Sequence, residues 1–167
     1  MFQKMVNRFS SLIMVGAALL MDNTMYRNSI IYILTPCSLV YHIARADSQD
    51  DIYAKIDNFG VIFVNLTTFS NSHRTCFFYS LLCCPFSNIK SLIHLGVYMR
   101  TCYLIYQQPL EYVQFIFAIS TILKLTGLIG FYKDGYFNHK THLLWHTGVA
   151  TYLWTGSQVY NTTNLVK

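Results

Sequence analysis

The sequence predicts an all-α fold, a bundle of seven transmembrane helices with its N-terminus in the cytoplasm and its C-terminus outside. Three observations lead there. Hydrophobic residues make up 53% of the chain and charged residues 11%, against ~25% charged in an ordinary water-facing domain. The apolar residues gather in seven stretches divided by short polar ones. None of these stretches keeps the two-residue alternation of a membrane barrel strand. With Gly 8 and Pro 3, collagen-like and low-complexity classes are excluded, and the apolar content excludes a disordered tail. The mean hydropathy of +0.34 is modest for a membrane chain, because 13 Tyr and many Asn, Ser and Thr dilute it. A length of 167 residues fits one multi-pass domain over 1–167.

The first stretch, 9–21, follows Lys4 and Arg8. A basic flank before an apolar run also marks a signal peptide, and Gly16-Ala17-Ala18 supplies small residues for cleavage. Met21-Asp22-Asn23 does not, so the stretch reads as the first span. The second, 30–44, lies between DNTMYRNS and RADSQDDIYAK, and the third, 57–70, ends at NSHR. The fourth, 75–87, carries CFFYSLLCCPF and is the weakest. The fifth, sixth and seventh are 91–106, 113–132 and 142–157. Several are shorter than the ~20 residues a spanning helix needs, so tilt, bilayer thinning or extension into the flanking polar residues must supply the rest.

Orientation follows from the basic residues of the loops. Seven spans place Lys4, Arg8, Arg45, Lys55, Lys90, Lys133 and Lys140 on one side and Arg27, Arg74 and Lys167 on the other. The richer side is cytoplasmic. The net charge of +5 is scattered singly along the chain, which argues against nucleic acid as a partner. The bilayer and a membrane lipid are the expected partners, and the plasma membrane or the endoplasmic reticulum and Golgi the expected location. Asn161-Thr162-Thr163 is a glycosylation sequon on the outer side, whereas the sequon at Asn65 lies within a span and should be unused. The five cysteines form no CxxC pair and read as small buried hydrophobes, with palmitoylation of Cys83 and Cys84 as the alternative.

Three groups of residues could carry chemistry. His142 and His146 stand four apart and share a helical face, a spacing that lets two imidazoles converge on one metal ion. His42 ends the second span and is the candidate third ligand; three nitrogens leave one position of a catalytic zinc open. Ser38 lies one turn before His42, and Asp57 opens the third span, where a carboxylate is costly unless paired or functional. Pairing with Lys55 at the membrane edge is the structural alternative for Asp57. The second span ends, and the third and seventh begin, on the cytoplasmic side, so all three groups reach one leaflet. His94 has no evident partner, and His73 and His139 read as loop residues. Arg100 and Lys124 read as snorkelling or facing a wet cavity, with a counter-charge to a lipid head group as the functional alternative. Trp145 and Trp154 read as interfacial or packing residues.

Ser-x3-His, then Asp, then His-x3-His in the last span, in the forms SLVYH, KIDNFG and HLLWHTGVA, resembles the CREST superfamily of membrane proteins. That group includes alkaline ceramidases, progestin and adipoQ receptors, hemolysin III-like proteins and myomaker relatives. The likeness is greatest to the hemolysin III and progestin/adipoQ receptor branch, and FYKDGYFNHKTHLLWH resembles the approach to its last helix. The resemblance implies seven helices and a zinc near one membrane face, with His42, His142 and His146 as ligands. Asp57 and Ser38 would act on the water. The expected function is zinc-dependent hydrolysis of a lipid amide or ester, ceramide-like in kind. The alternative is a receptor or membrane-remodelling protein whose zinc is structural.

Overall fold

The computed structural model of the chain describes residues 5–6, 9–45, 51–70, 72–107, 111–134 and 139–164. Among these residues there are seven helices and no strand. They are α1 (Ser10–Leu19), α2 (24–45), α3 (Asp51–Thr67), α4 (His73–Cys83), α5 (Ser87–Gln107), α6 (Glu111–Asp134) and α7 (His139–Asn164). Each apolar stretch of the sequence therefore becomes one helix. Lys4 and Arg8 lie outside the described residues, as do the side chains of Arg45, Lys133, His139, Lys140 and the Asn161 sequon. Asn65 is buried and its amide donates to Val61 O at 2.9 Å.

Helix starts follow local chemistry. The Asn23 side chain accepts from Tyr26 N at 2.9 Å and caps α2, and Ser72 does the same for Thr75 N at 3.3 Å at the start of α4. Polar flanks join the helices, so α3 begins at Asp51 rather than at 57 and α7 at His139 rather than at 142. His73 is thus the first residue of a helix, not a loop residue, and its ring stacks on Phe63. The short helices stay short. At 1.5 Å per residue, α1 and α4 reach about 15–17 Å, half of a ~30 Å hydrocarbon core. Among the described residues one stretch, Glu111–Gly130, is long and apolar enough to cross a bilayer by length and composition. Lys90, His94, Arg100 and Thr101 break the apolar run of α5.

Packing sets the helices around a cavity. α7 packs on α1, α5 and α6, while α3 packs on α2, α4 and α5. Side chains from α1, α2, α3, α5, α6 and α7 line the space between them, and α4 stands outside against α3. The main apolar core joins Met14, Ala18 and Met21 of α1 to Tyr26, Ile30 and Leu34 of α2 and to Ala150, Tyr152 and Leu153 of α7.

The tightest seam is between α6 and α7, and glycine makes it possible. A Cβ on Gly127 would lie 2.6 Å from Trp145 N, and one on Gly148 2.6 Å from Lys124 N. One on Gly130 would overlap the Thr141 side chain. Gly60 plays the same part between α3 and α2, where a Cβ would come within 2.9 Å of Cys37 Cβ. Gly148→Val and Gly127→Leu should each destabilise the bundle by about 1–3 kcal/mol or more, the cost of overpacking. Gly96→Ala, where an added Cβ meets nothing within 4 Å, should change stability by less than about 1 kcal/mol. Denaturant titration in detergent micelles measures both, and equal midpoints for all three variants would show that the seam tolerates side chains.

Candidate metal centre

Local structure aims the first ligand. α2 passes through a π-helical turn at Ile30–Leu34 just before Pro36. Proline has no N–H and its ring crowds the carbonyl four residues back, and a widened turn relieves that crowding without breaking the helix. The helix then continues as Thr35–Arg45, with Ser38 and His42 one turn apart on its inner face, both buried. His142 and His146 occupy successive turns at the start of α7 and are also buried.

The three imidazoles meet. His146 Nε2 lies 3.0 Å from His42 Nε2 and 3.1 Å from His142 Nε2. The ring centroids form a nearly equilateral triangle of 4.7, 4.8 and 4.8 Å. The ligand atoms of the three lie within 4.8 Å of one another, a group able to hold a metal ion. Hydrogen bonding alone satisfies this cluster poorly. A neutral imidazole has one N–H and one lone pair. His146 Nε2 faces two ring nitrogens while its buried Nδ1 has no partner, so either tautomer strands a nitrogen. A cation drawing lone pairs from all three Nε2 atoms resolves the conflict among them. Among the described residues the cluster ends at three nitrogens, the number that leaves a tetrahedral metal one open position.

Asp57 is not part of the cluster but opens onto the same cavity, of about 630 Å³, as Ser38, His42 and His146. The Ser38 hydroxyl donates to its carboxylate. The close approach of α3 to α2 at Gly60 and Cys37, one turn further on, brings these two side chains together. The cation that acts on Asp57 is Lys90 of α5, not Lys55 beside it in sequence. All the residues singled out as ligands or acid-base groups therefore gather at one end of one cavity.

Other polar residues share that cavity, and of these the sequence pattern pointed only to Lys124 as facing one. Lys90, His94, Lys124 and Trp145 also line it. His94 has a partner after all, since Lys124 Nζ lies 3.2 Å from its Nε2. Lys124 is 8% exposed, so it faces the cavity and does not snorkel. Arg100 instead donates to Thr68 O, just past the C-terminal end of α3, with its guanidinium 4.8 Å from the Phe69 ring and 5.2 Å from that of Tyr160. All five cysteines are free.

No family model matches the chain, and neither a curated protein nor a solved structure is significantly similar to it. The site therefore stands on its own geometry. Elemental analysis of protein purified without chelator should find one transition-metal ion per chain. His42→Ala, His142→Ala and His146→Ala should each lower that occupancy at least tenfold, because each removes a direct ligand. His94→Ala should leave it unchanged. Metal retained by all three ligand variants would show that these histidines form a hydrogen-bonded core and nothing more.

Proposed function

We propose that this chain is a multi-pass membrane hydrolase of the CREST type that uses zinc to cleave a lipid amide or ester. The observation that carries the reading is the convergence of three imidazole nitrogens on a cavity that also holds a Ser38–Asp57 pair. Nitrogen donors suit zinc, and structural zinc sites normally close with four protein ligands, so a set of three favours catalysis over a purely structural ion. The order Ser38, His42, Asp57, His142 and His146 along seven helices supports the superfamily.

The distribution of polarity supports the membrane. Phe77, Phe78, Leu81 and Leu82 of α4, Leu92 and Met99 of α5, and Phe115, Ile122, Leu125 and Ile129 of α6 are exposed. The interior holds, beside its apolar core, serines, threonines, histidines, asparagines and Lys124. An apolar outside of this extent calls for an apolar neighbour, and hydrocarbon is the one that surrounds a bundle on all sides. Membrane-thinning, tilt and the polar flanks carry α1 and α4 to the interfaces.

Bound zinc would supply Lewis acidity to the scissile carbonyl and to the attacking water. The Asp57 carboxylate takes the water proton as its oxygen adds to that carbonyl, and returns it to the departing amine or alcohol as the C–N or C–O bond breaks. Ser38 holds the carboxylate in place by donating to it. Lys90 is the counter-charge that α5 brings to it. The acyl chain lies along the apolar wall made by Val61, Val64, Leu95, Leu128 and Val149.

Asp57→Asn keeps the volume and removes the basic oxygen. It should retain the metal and the fold while hydrolysis of a short-chain ceramide or fatty amide falls roughly 10²–10⁴-fold, the usual contribution of a general base. Released fatty acid, followed by mass spectrometry, is the readout. Undiminished release by a metal-replete Asp57→Asn protein rules out this mechanism.

A further inference from the structure

Lys124 and His94 are polar side chains in the cavity that the proposed hydrolysis does not use. Lys124 reaches the cavity because its backbone abuts Gly148, two residues beyond His146. Its side chain leans toward the N-terminus of α6, which runs against α7 in the direction of Tyr152. The ammonium accordingly lies 4.1 Å from the Tyr152 ring centroid and 5.7 Å from that of Tyr98. One hydrogen bond, to His94 Nε2, accompanies these ring contacts. Among the described residues no carboxylate pairs with it: Asp57, the acid of the cavity, is engaged by Ser38 and Lys90. His94 Nδ1 is buried and without a partner. A buried cation is costly unless paired, and rings plus one imidazole supply no negative charge.

We infer that Lys124, steadied by His94, is an anion subsite for the ligand, and that the cavity takes a single-chain amide lipid bearing a carboxylate close to the amide, an N-acyl amino acid. The amide part of this inference rests on the hydrolase reading above; the carboxylate part rests on Lys124 alone. Size agrees: about 630 Å³ lies within the ~300–1,000 Å³ of small-molecule sites. Spacing agrees as well. Tyr152 is six residues past His146, an axial offset of about 9 Å. An amino-acid unit about 3.5 Å long, with a polar contact of about 3 Å at each end, reaches across that offset. An amide at the imidazole end therefore sets its carboxylate at the ammonium. A neutral amide lipid would leave Lys124 unpaired in the filled cavity.

The test compares N-oleoylglycine with N-oleoylethanolamine, which share chain and amide and differ in carboxylate against hydroxyl. Each is equilibrated with the full-length protein in detergent, and bound oleoyl species are quantified by mass spectrometry. The carboxylate should bind about tenfold more tightly or better, as expected for a charge-assisted contact in a dry site. Lys124→Met should bring the two within about twofold, and Lys124→Arg should restore the difference. Equal affinity of the two ligands for the wild type overturns the inference, and this holds even where Lys124→Met fails to fold. A preference that survives in folded, metal-replete Lys124→Met overturns it too. Glycine and ethanolamine release are assayed in parallel. Carboxylate preference with no release of either keeps the subsite and removes the amide-hydrolase reading, whereas release of both at equal affinity does the reverse.

Discussion

His146 holds its Nε2 within 3.1 Å of two other ring nitrogens, away from water, and the bundle is built around the demand that this creates. A buried polar atom left unsatisfied costs about 1–3 kcal/mol, so most find a partner inside the protein; Ser11 Oγ, Thr35 Oγ1 and the Nδ1 atoms of His94 and His146 are the exceptions among the described residues. The hydroxyls mostly find theirs on their own helices. Thr67 donates to Val64 O, Ser80 to Cys76 O, Thr101 to Val97 O and Thr155 to Tyr152 O. Such local bonds let a helix bury serine and threonine without help from a neighbour. The imidazoles, the carboxylate and the ammonium of the cavity reach further: beside the His142–His146 contact within α7, His42, His94, Asp57 and Lys124 have side-chain partners on other helices. Those partnerships across helices decide which faces turn inward.

Close backbone approach makes these partnerships possible. Gly127, Gly130 and Gly148 bring α6 and α7 into contact along two turns and more. The same contact that fixes α7, and with it His142 and His146, also carries Lys124 into the cavity. Gly60 joins α3 to α2 at Cys37 and places Asp57 against Ser38. Scaffold and site thus share their critical positions, and a change at any of these four glycines would be felt at the chemical groups.

The cavity that results has two unlike ends. At one, three nitrogens, a hydroxyl and a carboxylate converge. Further along α7, an ammonium, an imidazole and two aromatic rings meet over an otherwise apolar wall. The first end suits reaction at a carbonyl. In the inference drawn above, the second holds the carboxylate of an acylated amino acid whose amide lies at the first. Around that cavity the bundle keeps an apolar core, from Met14 to Leu153, while leucines, isoleucines and phenylalanines of α4, α5 and α6 are exposed on its outside.

Helix number and order were legible in the sequence, because each apolar run between polar breaks folds into one helix. So was the set of histidines: four-residue spacing puts His142 and His146 on one face, and the count of helices brings His42 to the same end. The lengths of α1 and α4 were legible too, as runs too short to span unaided. The partners of Asp57, His94 and Lys124 were not. Hydropathy tells how strongly a face prefers to be buried, but not how a helix is rotated about its axis or which neighbour it meets. Lys55 stands beside Asp57 in the chain, yet α5 brings Lys90 to it. Lys124 and His94 lie on successive helices thirty residues apart and meet across the cavity, where Lys124 is set against α7 at Gly148. The residues and their order were set by the sequence; the pairings across helices were decided by tertiary packing, since they depend on distances of a few ångströms between backbones that no one-dimensional pattern records.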